Sequence, residues 1–341
     1  MKPPDPGSSN GHKMPSPPWR ENEPHLRPSR NRELNGVFVP TLVPWDEHAK
    51  INEVELRRFL QWLIAMGVHG LYPNGSTGEF ARLNAEERDR IVRITCEEAA
   101  GRVPVLAGTG EESVAGTLRA CERYAACGAR AVAIISPFFY RISRDSVYAY
   151  YSEIARSSPI EITLYNIPML ANPIDLPTVC KLAEFPRIIG IKDSSGDIAA
   201  MMRMISSVRR VRPEFVFLSG WEPVFVPMLM AGCNGGTQAF GNAMPEYLCH
   251  IFEACRARRW DEAMALQYRM LSVFDAMFSD FEFPAGFRAG AEIRGFKFGK
   301  GRQPLTETQE QNQSTRKHAL QQIMAGFGLT SDGPSDHATR A

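Results

Sequence analysis

Between about residue 37 and residue 239 the chain alternates short apolar, β-branched runs with longer amphipathic segments, and it does so eight times. The runs that read as strands are Val37–Val43, Val68–Pro73, Val103–Ala107, Ala131–Ser136, Glu161–Asn166, Ile188–Lys192, Phe215–Ser219 and Gly235–Ala239. Helical periodicity follows, clearest over Asn52–Met66, Asn84–Ala100, Glu112–Cys127, Arg144–Ser157 and Asp197–Val211. Such alternation builds parallel sheets, because each strand returns to the same sheet edge through a crossover helix. Eight units within roughly 220 residues predict an α/β chain folded as a closed (β/α)8 TIM barrel.

The expected organisation is a Pro-rich, disordered N-terminal tail over 1–33, a barrel over 34–257, a helical appendage over 258–327 and a polar tail over 328–341. The first tail holds eight prolines and no apolar stretch behind Lys2, so it has neither the makings of a core nor the pattern of a secretory signal. The appendage is expected from helical patterns at Trp260–Ser279, Ala285–Phe298 and Thr306–Ala325. An open doubly wound sheet would use the same alternation, but its dinucleotide fingerprint would have to start at Gly108-Thr109-Gly110, with Ser113 in the third glycine's place. That run reads as a strand-to-helix turn, and nicotinamide or flavin binding is disfavoured.

Composition removes several function classes. Lys and Arg number 39 against 38 Asp and Glu, a net charge of +1, which leaves no electrostatic footprint for nucleic acid or an anionic membrane. Every apolar run is interrupted well short of the roughly 18 residues a spanning helix needs. The seven cysteines form no Cys-x-x-Cys pair, which fits a reducing, cytoplasmic setting, and the seven histidines show no metal-ligand spacing.

Reacting groups of a barrel enzyme sit just after the strands, which narrows the search to six stretches. They are Asn74-Gly75-Ser76-Thr77-Gly78-Glu79, Pro137-Phe138-Phe139-Tyr140-Arg141, Tyr165-Asn166-Ile167-Pro168, Gly190-Ile191-Lys192-Asp193, Gly220-Trp221-Glu222 and Gln238-Ala239-Phe240-Gly241-Asn242. The Gly75–Gly78 turn offers two hydroxyls and backbone N–H groups ahead of a helix, a geometry that holds a carboxylate or phosphate. Taken alone, such a turn is ordinarily just a loop. Lys192 ends an apolar strand, where desolvation disfavours an ammonium and favours the free amine that attacks a carbonyl; a strand-end lysine is otherwise a solvated charge. Tyr165, one strand away, can present an acid–base phenol to the same mouth, although most buried tyrosines are core aromatics. An imine-forming lysine, a proton shuttle and an anion clamp together describe a class I aldolase. A retaining glycosidase would need two carboxylates about 5 Å apart, and only Glu222 is well placed.

In these motifs, and over about residues 34 to 305, the chain resembles the dihydrodipicolinate synthase / N-acetylneuraminate lyase family of pyruvate-dependent aldolases. The resemblance implies Lys192 as the Schiff-base lysine, Tyr165 as the proton shuttle, and Ser76 and Thr77 as ligands of the pyruvyl carboxylate. It further implies that Gly75, Ser194, Gly220, Glu222 and Ala239 surround the substrate, a small 2-oxo acid. A cytoplasmic homotetramer with no metal or organic cofactor is implied too. Three departures stand out. Phe139 occupies the place of a second relay tyrosine that members reach into a neighbouring subunit, with Tyr140 and Arg141 beside it as substitute relay or rim groups. Leu170 stands where lysine-pathway synthases carry an arginine for the second substrate's carboxylate, and losing such a charge-assisted pair typically costs a few kcal/mol. Glu222-Pro223 replaces an Asp–Glu pair that holds sialic acid hydroxyls. The expected activity is therefore cleavage or dehydration of a 2-keto-3-deoxy sugar acid, giving pyruvate and an aldehyde in the cleavage case. Dihydrodipicolinate synthesis and a binding or regulatory barrel that has lost turnover are the alternatives.

Overall fold

The structure is a computed structural model and describes residues 34–111 and 113–328. The expectations for the tails fall outside these residues, Gly328 apart, as does Glu112, where the third helix was expected to begin.

Eight strands alternate with eight helices: β1 Gly36–Pro40, α1 Glu53–Ala65, β2 Gly70–Tyr72, α2 Ala85–Ala99, β3 Leu106–Thr109, α3 Val114–Ala126, β4 Ala131–Ile135 and α4 Arg144–Ser157, then β5 Ile162–Asn166, α5 Leu176–Leu182, β6 Ile188–Asp193, α6 Ile198–Val208, β7 Val216–Ser219, α7 Phe225–Ala231, β8 Gly235–Thr237 and α8 Pro245–Arg256. All pairings between these strands are parallel, in the order β2-β1-β8-β7-β6-β5-β4-β3. A parallel bridge from Leu71 to Val105 joins the two ends of that order, so the sheet wraps into the (β/α)8 TIM barrel the alternation predicts.

Local chemistry sets the helix starts. The side chains of Asn52, Asn84, Ser113, Ser143, Asp175 and Asp197 each accept an N–H from the first turn of the helix behind them, α1 to α6 in order. Each such cap contributes about 1 kcal/mol. The third strand departs from expectation: it runs Leu106–Thr109 rather than Val103–Ala107, and Gly108-Thr109 is strand, not turn. Its bounds follow the register with β4, where Leu106 to Thr109 face Ala131 to Ile134, while the apolar run upstream makes only the bridge at Val105.

The barrel lumen is packed by Phe38, Tyr72, Leu106, Ala133, Val216 and Leu218, with Ile189 among them. Outside, the strands bury their other faces against the helices in two larger apolar clusters. Helices α9 Trp260–Phe278, α10 Ala285–Ile293 and α11 Glu307–Ala325 complete the described chain. The expected helix Ala285–Phe298 stops at Ile293, after which Phe296 and Phe298 pack onto Phe59 of α1. Met270, Phe274 and Phe287 join the same cluster as α1 and α8, so the appendage is welded to the barrel rather than hung from it.

Candidate active site

Lys192 and Tyr165 are cross-strand partners in the β5–β6 register. Strand alternation alone would not aim both inward. Ile189 faces the lumen and Ile191 the outer layer, although the two are of the same parity. The register of β5 against β6 shifts where Thr163 pairs with Gly190, leaving Ile189 as a bulge residue. A bulge resets which face the following side chains occupy, and here it turns Lys192 into the barrel mouth. Lys192 is 4 % exposed, and its Nζ lies 4.1 Å from the centre of the Tyr165 ring and 4.7 Å from that of Tyr72. The phenol of Tyr165 is 3.2 Å from Ser76 Oγ.

Gly220 follows β7, and a Cβ built there would lie 2.1 Å from Ser194 Oγ and 2.8 Å from Lys192 Cε. Only glycine leaves room for the lysine stem to run past the strand end. The loop behind Lys192 is fixed by the buried carboxylate of Asp193, which accepts from Asn166 Nδ2 at 2.5 Å and from the backbone N–H of Ser195 at 2.9 Å. Asn166 Oδ1 in turn accepts the N–H of Ile174. These two motif residues are therefore scaffolding for their neighbours Tyr165 and Lys192.

A cavity of about 170 Å3 opens above Lys192, and Ser76, Thr77, Tyr165, Ser194, Gly220, Glu222 and Ala239 all line it. Glu222 is buried, takes the N–H of Phe240 at 3.1 Å, and is pushed up to about 7 by desolvation, against the lowering effect of that N–H and of nearby Lys192. Gly75 instead lines an adjoining void of about 10 Å3, with Tyr72, Ser76, Thr109 and Tyr165. Tyr72 Oη and Thr109 Oγ1 have no hydrogen-bond partner among the described residues, and burial pushes the Tyr72 phenol well above its ordinary value.

Phe139, Tyr140 and Arg141 are not brought to this centre. They occupy an exposed loop after β4, with Phe139 87 % exposed and in the left-handed backbone region at φ 65°, and none of the three lines the cavity. Within one chain all three stand outside the lining of the cavity.

Of the cavity's far wall, the strand-end stretches include only Trp221, and the family resemblance singles out only Leu170. Met169 and Leu170 follow β5, Trp221 follows β7, and Phe278, Phe283 and Phe287 come from α9, the turn after it and α10. Nothing local marks these phenylalanines, since their periodicity says only that they are apolar. Among the described residues no group of three or more His, Cys, Asp or Glu side chains could hold a metal ion, and no helix is long and apolar enough to cross a membrane. A lysine amine, a phenol and hydroxyls around one small cavity can carry out imine chemistry on a 2-oxo acid.

Known proteins place this arrangement in a family. A 4-hydroxy-tetrahydrodipicolinate synthase of Methanospirillum hungatei is 33% identical over 290 residues, covering 84% of this chain and 98% of that one. An uncharacterized DapA-like lyase of Halobacterium salinarum is 31% identical over 297 residues, covering 87% and 95%. Among solved structures, the prophage protein YagE of E. coli K12, described in complex with pyruvate and as a member of the dihydrodipicolinic acid synthase family, superposes with a TM-score of 0.79 at 27% identity, covering 85% of this chain and 99% of YagE. The sequence pattern of the dihydrodipicolinate synthetase family matches residues 33–323, and this chain belongs to that family of lyases.

Proposed function

We propose that the protein is a Schiff-base lyase that cleaves a 4-hydroxy-2-oxo acid into pyruvate and an aldehyde. The observation that carries this reading is the pairing of Lys192 and Tyr165 across β5 and β6 at the floor of one cavity, with Nζ 4.1 Å from the phenol ring. Enzymes of this family join a lysine to pyruvate as a Schiff base and use no external cofactor, which supports the same chemistry.

In the proposed cycle Lys192 Nζ adds to the C2 carbonyl, and loss of water gives an imine. Tyr165 hands a proton to the departing oxygen and is left as the phenolate, with Ser76 Oγ as its hydrogen-bonding neighbour. Ser76 and Thr77 hold the carboxylate. The phenolate of Tyr165 then removes the proton of the 4-hydroxyl. The C3–C4 bond breaks, its electron pair passes to C3 as an enamine, and the aldehyde leaves. One proton at C3 and one water at C2 release pyruvate and the free lysine. The same imine would also support loss of water from C4 in place of cleavage. The 2-keto-3-deoxy sugar acids expected from the sequence share this 4-hydroxy-2-oxo core.

Dihydrodipicolinate synthesis, the activity in the Methanospirillum protein's name, needs a cation for a second carboxylate. Leu170 occupies that place, and among the described residues no arginine lines the cavity.

Substituting Lys192→Met tests the reading. The variant is expected to lose at least about a thousandfold in pyruvate release while keeping its far-UV circular dichroism. Turnover within about tenfold of the parent would contradict an obligatory imine.

We also carry over the homotetramer and the cytoplasmic location. Seven free cysteines support a reducing compartment. Phe139 and Tyr140, exposed on the loop after β4, support a neighbouring copy that covers them. Sedimentation equilibrium is expected to give four times the 38.1 kDa chain mass, and a monomer mass would overturn the tetramer.

A further inference from the structure

We propose that the aldehyde half of the substrate is apolar, an alkyl or aryl aldehyde with neither a second carboxylate nor a run of hydroxyls. This rests on the Schiff-base reading above and narrows it.

The two halves of the cavity differ in chemistry. Its floor carries Lys192, Tyr165, Ser76, Thr77 and Ser194, enough polar groups for a pyruvyl unit. Its outer wall is Met169, Leu170, Trp221, Phe278, Phe283 and Phe287. The rings form a ladder of edge contacts, with centroids 5.1 Å apart from Trp221 to Phe278, 6.2 Å from Phe278 to Phe283 and 5.9 Å from Phe283 to Phe287. Offset and edge contacts of this kind are those a further ring would join.

What the wall lacks decides the class. Among the described residues, the charged ones lining the cavity are Lys192, committed to the imine, and Glu222. Glu222 already accepts the N–H of Phe240 and is buried, so it can meet one hydroxyl and offers no positive charge to a carboxylate. A polyhydroxylated tail would set several hydroxyls against Phe and Leu side chains, each desolvated without a hydrogen-bond partner. An apolar tail gains by removing its own surface and that of the wall from water. Met169 and Leu170 are 63 % and 57 % exposed, apolar surface at the mouth that such a tail would cover. The cavity of about 170 Å3 resembles in size the ~150 Å3 engineered cavity that binds benzene, and it opens to solvent, so the occupant is short.

The test compares kcat/KM for pyruvate release from 4-hydroxy-2-oxo-4-phenylbutanoate with that from 2-keto-3-deoxygluconate, in the parent and in Leu170→Arg, an exposed position that tolerates the change. The parent is expected to prefer the phenyl compound by at least about tenfold, and Leu170→Arg to erase most of that preference. Equal rates, a preference for the sugar acid, or a preference unmoved by Leu170→Arg would overturn the proposal. Labelling of Lys192 by pyruvate and borohydride is read on the same preparation. Protein that is labelled but cleaves neither compound would overturn the apolar-aldehyde class and leave the imine reading standing; protein that is not labelled would overturn both.

Discussion

Glu222 carries a pH dependence that its surroundings dictate. Desolvation pushes its carboxyl up to about 7 from an ordinary 4.5, so between those values the folded protein holds a proton that the unfolded chain has released. The stability this contributes is present in full below the ordinary value and is lost as pH rises through about 7. Relative to Glu222→Gln, the parent is expected to lose on the order of 1–3 kcal/mol of unfolding free energy between about pH 4.5 and 7.5. Urea titrations across that range read the difference, and parallel curves for the two proteins would contradict the burial argument. At this scale much of the site was legible. Lys192, Tyr165, Ser76 and Glu222 are strand-end residues, and barrel geometry sends strand ends to one mouth. Gly220 was legible only as a strand end, because what requires glycine there is the stem of Lys192, 28 residues away in sequence. The Ile189 bulge was hidden as well, since Ile188-Ile189-Gly190-Ile191 reads as an unbroken buried strand.

Helix α10 shows how an element from outside the barrel shapes the site. Arg288 on α10 pairs with Glu79 of the turn after β2 at 2.5 Å, both nearly buried, and its other nitrogen donates to the carbonyls of Val43 and Phe298. This clamp holds the helix, and with it Phe287, against the mouth. Arg288→Ala leaves Glu79 buried with only Arg82 as a partner and is expected to cost about 3–5 kcal/mol. Arg288→Met combined with Glu79→Gln removes both charges and should recover most of that loss in the same urea titration. A single-variant loss under about 1 kcal/mol would contradict the clamp. In the sequence Glu79 reads as the last residue of a catalytic-looking turn, and its partner lies 209 residues on, beyond any local signal. The early placement of the third strand has a related cause, because apolar content marks burial while hydrogen-bond register with β4 marks the strand.

The whole molecule divides its labour between two parts of the chain. The barrel, visible in the eightfold alternation, supplies the groups of the proposed imine chemistry from β5, β6 and the turn after β2. Helices α9 and α10, visible only as amphipathic segments, return to roof the mouth with aromatic side chains, and that return is a long-range packing outcome no spacing encodes. Phe139 marks the corresponding limit for the proton route: the sequence flags a missing phenol, and the structure puts the substituted side chain on an exposed loop, away from its own chain's cavity. The central claim is that Lys192 forms an imine with pyruvate. Incubation with pyruvate and borohydride, intact mass spectrometry and peptide mapping test it most directly. The account predicts one pyruvate-sized adduct per chain, confined to the peptide bearing Lys192 and absent from Lys192→Met. An unmodified protein under conditions that label another member of the family, or an adduct on a different lysine, would contradict it.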